Sequence, residues 1–375
     1  MNLFRAKKSE TAPLETYINQ AWKGSHPIKP FGERTSADAP VPTLRKGCKN
    51  RIIYYVGSFN PPHLGHLALV DHVFSNARAP PRHPGPAGES DDESLNAVAL
   101  VVIPHGEYWI ARKAHRAARE REQAKYPRGR GKGKGKGKTA KKTFWSADED
   151  EEEEELHLDL EQRLQLVRGG IPEDLVQSGV WVFPADAGQW YQGVQPRLRD
   201  ACRADGFEVE FVELLGPDYV KRDWPQCSGM HGVVTSNVCR AADFVTGKRP
   251  PGGEIGSNLL TLNGFSDWAL VRPGDKPNIN AEGGAQNTQE ENQEGQPADK
   301  DKSNVWVCQG GANLAYRIWF VECEEPRLDP GMSSTGLRRL IDDVDLEVLE
   351  EVVQDIAMSP AKLVQFVRDI RNEAK

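Results

Sequence analysis

The ten residues Gly57-Ser58-Phe59-Asn60-Pro61-Pro62-His63-Leu64-Gly65-His66 place two histidines three apart behind a glycine turn. The β-branched, apolar run Ile52-Ile53-Tyr54-Tyr55-Val56 precedes them, and Leu67, Leu69, Val70, Val73 and Phe74 follow in a helical pattern. A strand, a turn and a helix start bring unpaired backbone N–H groups and the positive end of the helix dipole to one point. An anion fits that point, and His63 and His66 add side-chain donors aimed at it. Glycine at 65 leaves room for a bulky ligand against the backbone. The chemistry these residue types suit is the handling of a triphosphate.

A second group lies near the C-terminus. Met332-Ser333-Ser334-Thr335-Gly336-Leu337-Arg338-Arg339 sets three hydroxyls where a helix begins, with Arg338 one turn in. Taken alone, this is an N-cap followed by a solvated arginine. The same hydroxyls and N–H groups also suit terminal phosphates, with the planar guanidinium as their partner.

The first segment resembles the signature of the HxGH nucleotidyltransferases, in the form G-x-F-[ND]-P-x-H-x-G-H of nicotinamide or nicotinate mononucleotide adenylyltransferases. Every specified position is filled in order. The second segment, about 270 residues later, is similar to that family's I-S-S-T-x-[IL]-R, with Met332 in place of isoleucine. The resemblance covers roughly residues 51–342 without their low-complexity inserts. It implies adenylyl transfer from ATP, accompanied by Mg²⁺, to a pyridine mononucleotide, giving the dinucleotide and pyrophosphate of NAD biosynthesis. It gives His63 and His66 to the reacting α-phosphate, and the backbone of Gly57, Ser58 and Phe59, beside Asn60 and Gly65, to the incoming phosphate and the adenylate. Ser333, Ser334, Thr335 and Arg338 would hold the leaving pyrophosphate. The nucleophile is already anionic, so no general base is required and no metal ligands are expected of the protein.

Other positions match more loosely. Gly216-Pro217-Asp218 after the strand at Phe211–Leu215 is similar to the family's G-x-D turn, with Asp218 toward the nucleotide; as a plain sequence it is a type I turn. Arg163 and Arg240 fall where the family carries arginines beside the substrate, although a lone helical arginine is commonly solvated. Ile103-Pro104-His105-Gly106-Glu107-Tyr108 occupies the family's second-strand loop. One departure stands out. Eukaryotic members carry a Trp-Glu pair after the third strand, the tryptophan stacking on the pyridine ring, and this chain has Phe183-Pro184-Ala185-Asp186 there. Trp190 or Trp224 could replace it, and each is otherwise core or surface packing. Two other readings stay open: a cytidylyltransferase, against which Asn60 and the S-S-T-x-x-R arrangement speak, and a nucleotide-binding or ATP-hydrolysing regulatory relative.

The elements that must position these residues alternate. Strands are expected at 51–56, 97–103, 179–183, 207–215, 232–239 and in part of 305–322, and helices at 64–76, 156–168, 192–204, 334–356 and 360–372. Ser359-Pro360 supplies an N-cap and an N1 proline for the last of these. Such alternation predicts an α/β fold, a Rossmann-like, mostly parallel sheet with helices on both faces and its ligand at the carboxyl ends of the strands. Residues 1–50 read as an N-terminal extension, 51–342 as the nucleotidyltransferase domain and 343–375 as C-terminal helices.

Three stretches, 78–94, 112–155 and 273–303, hold too little apolar surface to offset chain entropy and read as inserted loops. The middle one carries a basic run from Arg128 to Lys138 and eight consecutive acids, Asp148 to Glu155. It reads as a self-neutralising loop or a patch for nuclear import or an anionic partner, and activity is expected to survive its deletion. The formal charge of −7 and a pI near 5.8 argue against nucleic acid as a partner. The absence of an apolar run of about 18 residues argues against a membrane span. Met1 to Lys8 lacks an apolar signal core. The six cysteines, at 48, 202, 227, 239, 308 and 323, show neither CxxC pairs nor histidine clustering and read as reduced thiols. A cytoplasmic or nuclear location follows.

Overall fold

The computed structural model describes residues 9–24, 26–33, 41–78, 95–125, 156–223, 225, 231–246, 256, 258–272, 303–310, 316–324 and 333–373. Its strands are β1 (Thr11–Pro13), β2 (Thr43–Arg45), β3 (Lys49–Gly57), β4 (Ala97–Pro104), β5 (Val180–Val182), β6 (Glu208–Leu214), β7 (Gly232–Ser236), β8 (Ala269–Arg272), β9 (Val305–Gly310) and β10 (Tyr316–Val321). The helices are α1 (Leu14–Ala21), α2 (Leu64–Ala77), α3 (Glu107–Lys125), α4 (Leu160–Gly170), α5 (Glu173–Ser178), α6 (Ala187–Gln189), α7 (Gln195–Ala204), α8 (Ser334–Asp343), α9 (Leu346–Val353) and α10 (Pro360–Glu373). A single wide π turn over Trp190–Val194 joins α6 to α7.

One sheet runs in the order β5-β4-β3-β6-β7-β10-β9-β8. It is parallel from β5 to β10 and antiparallel across β9 and β8. The mostly parallel α/β sheet expected from the alternation is present, and the apolar run of β3 sits at its centre. Successive residues of that strand serve opposite faces: Ile53 packs with Leu69, Val73, Phe74 and Leu164 of α2 and α4, while Ile52 and Tyr54 pack with Leu14 and Ile18 of α1 and Leu198 of α7. Residues ahead of position 50 are therefore part of this core, with the Tyr17 hydroxyl 3.0 Å from the Asp205 carboxylate. The C-terminal helices bury Leu337, Ile341, Leu349, Val353, Leu363 and Val364 against Leu158 and Leu166.

Several elements differ from expectation. The helix expected over 334–356 is two helices, because Val344 is extended and Arg371 donates to the carbonyls of Ile341 and Val344. The region 305–322 forms two antiparallel strands. The insert expected at 112–155 is helical as far as Lys125, and 126–155 lies outside the described residues, as do 79–94 and 273–302. The basic and acidic runs, Met1 to Lys8, Trp224, Cys227 and Met332 are outside them too. None of the five described cysteines is in a disulfide. Among the described residues no group of three or more His, Cys, Asp or Glu could hold a metal ion, and no helix is long and apolar enough to cross a membrane.

At the heart of the sheet, the buried Arg51 guanidinium lies 2.9 Å from Glu210 and 5.1 Å from the Trp319 ring centroid. Glu210 also takes Lys49 at 3.1 Å. Removing one member of a buried ion pair strands a desolvated charge. Glu210→Ala is expected to lower stability by about 3–5 kcal/mol, read as a shift of the urea midpoint; a loss under about 1 kcal/mol would show that the pair is not needed.

Candidate functional site

The chain leaves β3 at Gly57 and enters α2 at Leu64 through a turn built from its own aromatic and imidazole rings. Phe59 adopts a positive φ of 48° and is buried, its ring centroid 5.4 Å from Tyr55 and 5.0 Å from His66. A Cβ at position 57 would stand 2.7 Å from that ring, so the glycine makes room for Phe59. His63 caps α2, its Nδ1 accepting from the Gly65 N–H at 3.1 Å, and His66 Nδ1 accepts from the His63 N–H at 3.1 Å. With both Nδ1 atoms accepting, each neutral ring carries its proton on Nε2, an assignment made from these bonds. A Cβ on residue 65 would lie 2.8 Å from His63 Cε1. The space left by Gly65 thus admits the His63 imidazole, and Gly65 itself lines the cavity.

The two rings are 3.8 Å apart. Burial, then the Arg240 charge, pushes His63 down to about 4. Burial, then His63 and Lys113, holds His66 well below the usual histidine range. Both are neutral donors at neutral pH.

The hydroxyl group of residues near the C-terminus meets this turn. Ser333 is the expected N-cap of α8, accepting from the Gly336 N–H at 3.1 Å. Ser334 Oγ donates to the Pro61 carbonyl at 2.9 Å, and Arg338 donates to the Asn60 carbonyl and, at 3.3 Å, to Thr335 Oγ1. Arg338 is therefore tied down and not simply solvated. His63, His66, Ser333, Ser334, Thr335 and Arg338 line a single cavity of about 880 Å³. Gly57, Ser58, Phe59, Asn60, Gly65, Gly216, Asp218 and Arg240 line it as well, with Arg240 paired to Asp218 at 3.3 Å. The Asn60 side chain is occupied elsewhere: its amide bonds the Leu156 carbonyl and the Leu158 N–H, at 3.2 and 3.0 Å.

Two expected substrate residues are placed otherwise. Arg163 is fully buried and does not line the cavity. It donates to the carbonyls of Leu158, Ser58 and His105 and pairs with Glu107 at 2.6 Å, so it braces the walls from behind. Trp190 is 0% exposed among Tyr54, Trp181, Phe183 and Phe211, and is core.

Several cavity residues were given no role by the sequence, among them Lys113, His105 and Tyr191. Lys113 comes from α3, inside the expected insert, with Nζ 3.4 Å from Ser58 Oγ; burial and Arg338 lower its pKa. Lys113 lies within 112–155, so that deletion would also remove part of the cavity wall. His105 stands where β4 ends, its N–H on the Gly57 carbonyl at 2.8 Å and its Nδ1 buried without a hydrogen-bond partner. Its place in the loop after the second strand, already noted in the resemblance, was its signal. Tyr191, on the π turn, lines the cavity at 42% exposure; nothing in the sequence separated it from Trp190.

Neutral N–H donors ringed by Lys113, Arg240, Arg338 and Arg339 suit a polyanion. Comparison with protein-family models, curated proteins and solved structures finds no match.

Both histidines ionise less readily in the folded chain than in the unfolded one. The unfolded chain therefore binds more protons below about pH 6.5, and stability falls as the pH drops through that value. The His63 contribution stops falling below about 4. By NMR, the His63 and His66 ring resonances are expected to stay unprotonated between pH 8 and 6, and tripolyphosphate is expected to raise both pKa values. Rings titrating near 6.5 in the free protein would refute the assignment.

Proposed function

We propose that this chain transfers an adenylyl group from MgATP to nicotinamide or nicotinate mononucleotide, releasing pyrophosphate. The observation that carries the reading is that the HxGH turn and the S-S-T-G-L-R helix start line one cavity and are hydrogen-bonded to each other. Two stretches 270 residues apart, each similar to a signature of one enzyme family, are joined through the Asn60 and Pro61 carbonyls.

In the proposed reaction an oxygen of the mononucleotide phosphate forms a bond to the α-phosphorus of ATP. The bond to the bridging oxygen breaks, and its electron pair leaves with pyrophosphate. Charge shifts toward the leaving group, so the residues act by positioning and charge stabilisation. The Nε2–H groups of His63 and His66 donate to the oxygens around the α-phosphorus. Ser333, Ser334, Thr335 and Arg338 hold the departing end, and Lys113 beside Ser58 meets the incoming phosphate. Mg²⁺ enters as part of the substrate, held by the phosphates, and neutralises their charge.

A regulatory, ATP-binding relative is the second reading. The missing Trp-Glu pair favours it, together with the burial of Trp190 in the core. Mass spectrometry after incubation with MgATP and each mononucleotide separates the two. The dinucleotide with pyrophosphate is expected, and CTP is expected to be inert; ATP binding without dinucleotide would support the regulatory reading. His66→Ala is expected to lower turnover by about 10²–10³-fold, as loss of one transition-state donor does, with little change in melting temperature. Unchanged pyrophosphate release in that variant would reject the role of His66.

A further inference from the structure

At one corner of the cavity the chain places an aromatic residue and an acid from two different elements, apart from the 183–186 segment. The π turn over Trp190–Val194 sends Trp190 into the core and leaves Tyr191 on the cavity wall. Tyr191 meets Tyr54 edge-on, with centroids 5.9 Å apart and planes at 88°. Tyr54 is in turn the register partner of Glu213 across β3 and β6, and Glu213 lines the cavity too. The Glu213 carboxylate is felt at this corner: after burial it is the next cause holding both phenols above the ordinary tyrosine range. Elsewhere the cavity wall is cationic, with Lys113 beside Ser58, Arg338 and Arg339 at the start of α8, and Arg240 paired to Asp218.

We infer that Tyr191 and Glu213 form the ring subsite of the acceptor and make the chain selective for the nicotinamide form over the nicotinate form. This rests on the adenylyl-transfer reading above. The pyridinium of a mononucleotide carries a fixed positive charge at its glycosidic nitrogen, whatever the pH. A tyrosine face attracts that cation, and a nearby carboxylate attracts it further. The nicotinamide ring bears the charge alone. The nicotinate ring adds a carboxylate that cancels it and brings a second anion close to Glu213. Adenine, a neutral ring, gains neither attraction, so the corner discriminates among the rings of the two substrates as well.

The test is calorimetric titration of the full chain with each mononucleotide, alongside dinucleotide formation from each. The wild-type chain is expected to bind the nicotinamide form at least about tenfold tighter, a ratio that one like-charge contact at intermediate dielectric readily supplies. Glu213→Gln is expected to bring the ratio within about threefold, chiefly by improving nicotinate binding, with ATP affinity unchanged. Tyr191→Ala is expected to weaken the nicotinamide form most, and Tyr191→Phe, which keeps the ring, to leave the preference in place. Equal or tighter nicotinate binding by the wild-type chain, or a Glu213→Gln protein with the wild-type ratio, overturns the inference. Dinucleotide made preferentially from nicotinate sinks this inference and leaves the adenylyl-transfer reading standing. ATP binding with neither mononucleotide bound sinks both.

Discussion

Two main-chain carbonyls, those of Asn60 and Pro61, are the joint on which the cavity depends. Arg338 donates to one and Ser334 to the other, so the start of α8 is fastened to the turn that leaves β3. The Asn60 side chain fastens the same turn to residues 156 and 158, just ahead of α4. Arg163, fully buried, secures it again through the Ser58 carbonyl and ties in the end of β4 through His105. A hydrogen bond from a charged donor contributes roughly 1.5–3 kcal/mol, about twice a neutral one. Three separate parts of the chain are thereby held in register around one short turn. Donors that need no rearrangement when charge develops are the kind that stabilise it most.

Within this frame, desolvation decides the state of the histidines. Each ring has a hydrogen bond that favours one tautomer, but burial disfavours the cation more strongly than any neighbour supports it. Neighbouring cations act in the same direction, and the ring-to-ring distance of 3.8 Å makes a doubly charged pair unfavourable. Positive charge along the cavity wall therefore comes from the guanidinium groups of Arg240, Arg338 and Arg339. The imidazoles supply direction, through Nε2–H, and the guanidinium groups supply field.

The parts of this arrangement that could be read from the sequence are those in which local pattern and local structure coincide. The run 52–56 is apolar because β3 is covered on both faces, and the turn with its two histidines follows directly. Ser333 caps a helix in the ordinary way. The bracing role of Arg163 could not be read, because besides Glu107 its partners are the main-chain carbonyls of Ser58, His105 and Leu158, and a carbonyl leaves no mark in composition. Lys113 was hidden for a different reason. Helix α3 begins in the cavity wall, where Ile110 is buried, and continues as a charge-rich segment whose composition looks unstructured. Trp190 and Tyr191 are adjacent aromatic residues, and the π turn between α6 and α7 decides which goes inward. The need for glycine at 65 has a reason the sequence does not show, since a side chain there would run into the His63 imidazole.

The pleat of β3 also explains why the cavity has two unlike halves. Tyr55 points to the side of α2, where its ring lies 6.1 Å from His66, and Tyr54 to the side of α7, where its ring lies 5.9 Å from Tyr191. Alternation along a strand puts neighbouring residues on opposite faces of the sheet. The histidines and the start of α8 thus belong to one face, and Tyr191 with the approach to Glu213 belongs to the other. Residues of both halves line the one cavity, at the carboxyl edge of the sheet where β3 ends at Gly57. The Phe59 ring already fills the space a side chain at 57 would need, so this end of β3 presents bare backbone to the cavity.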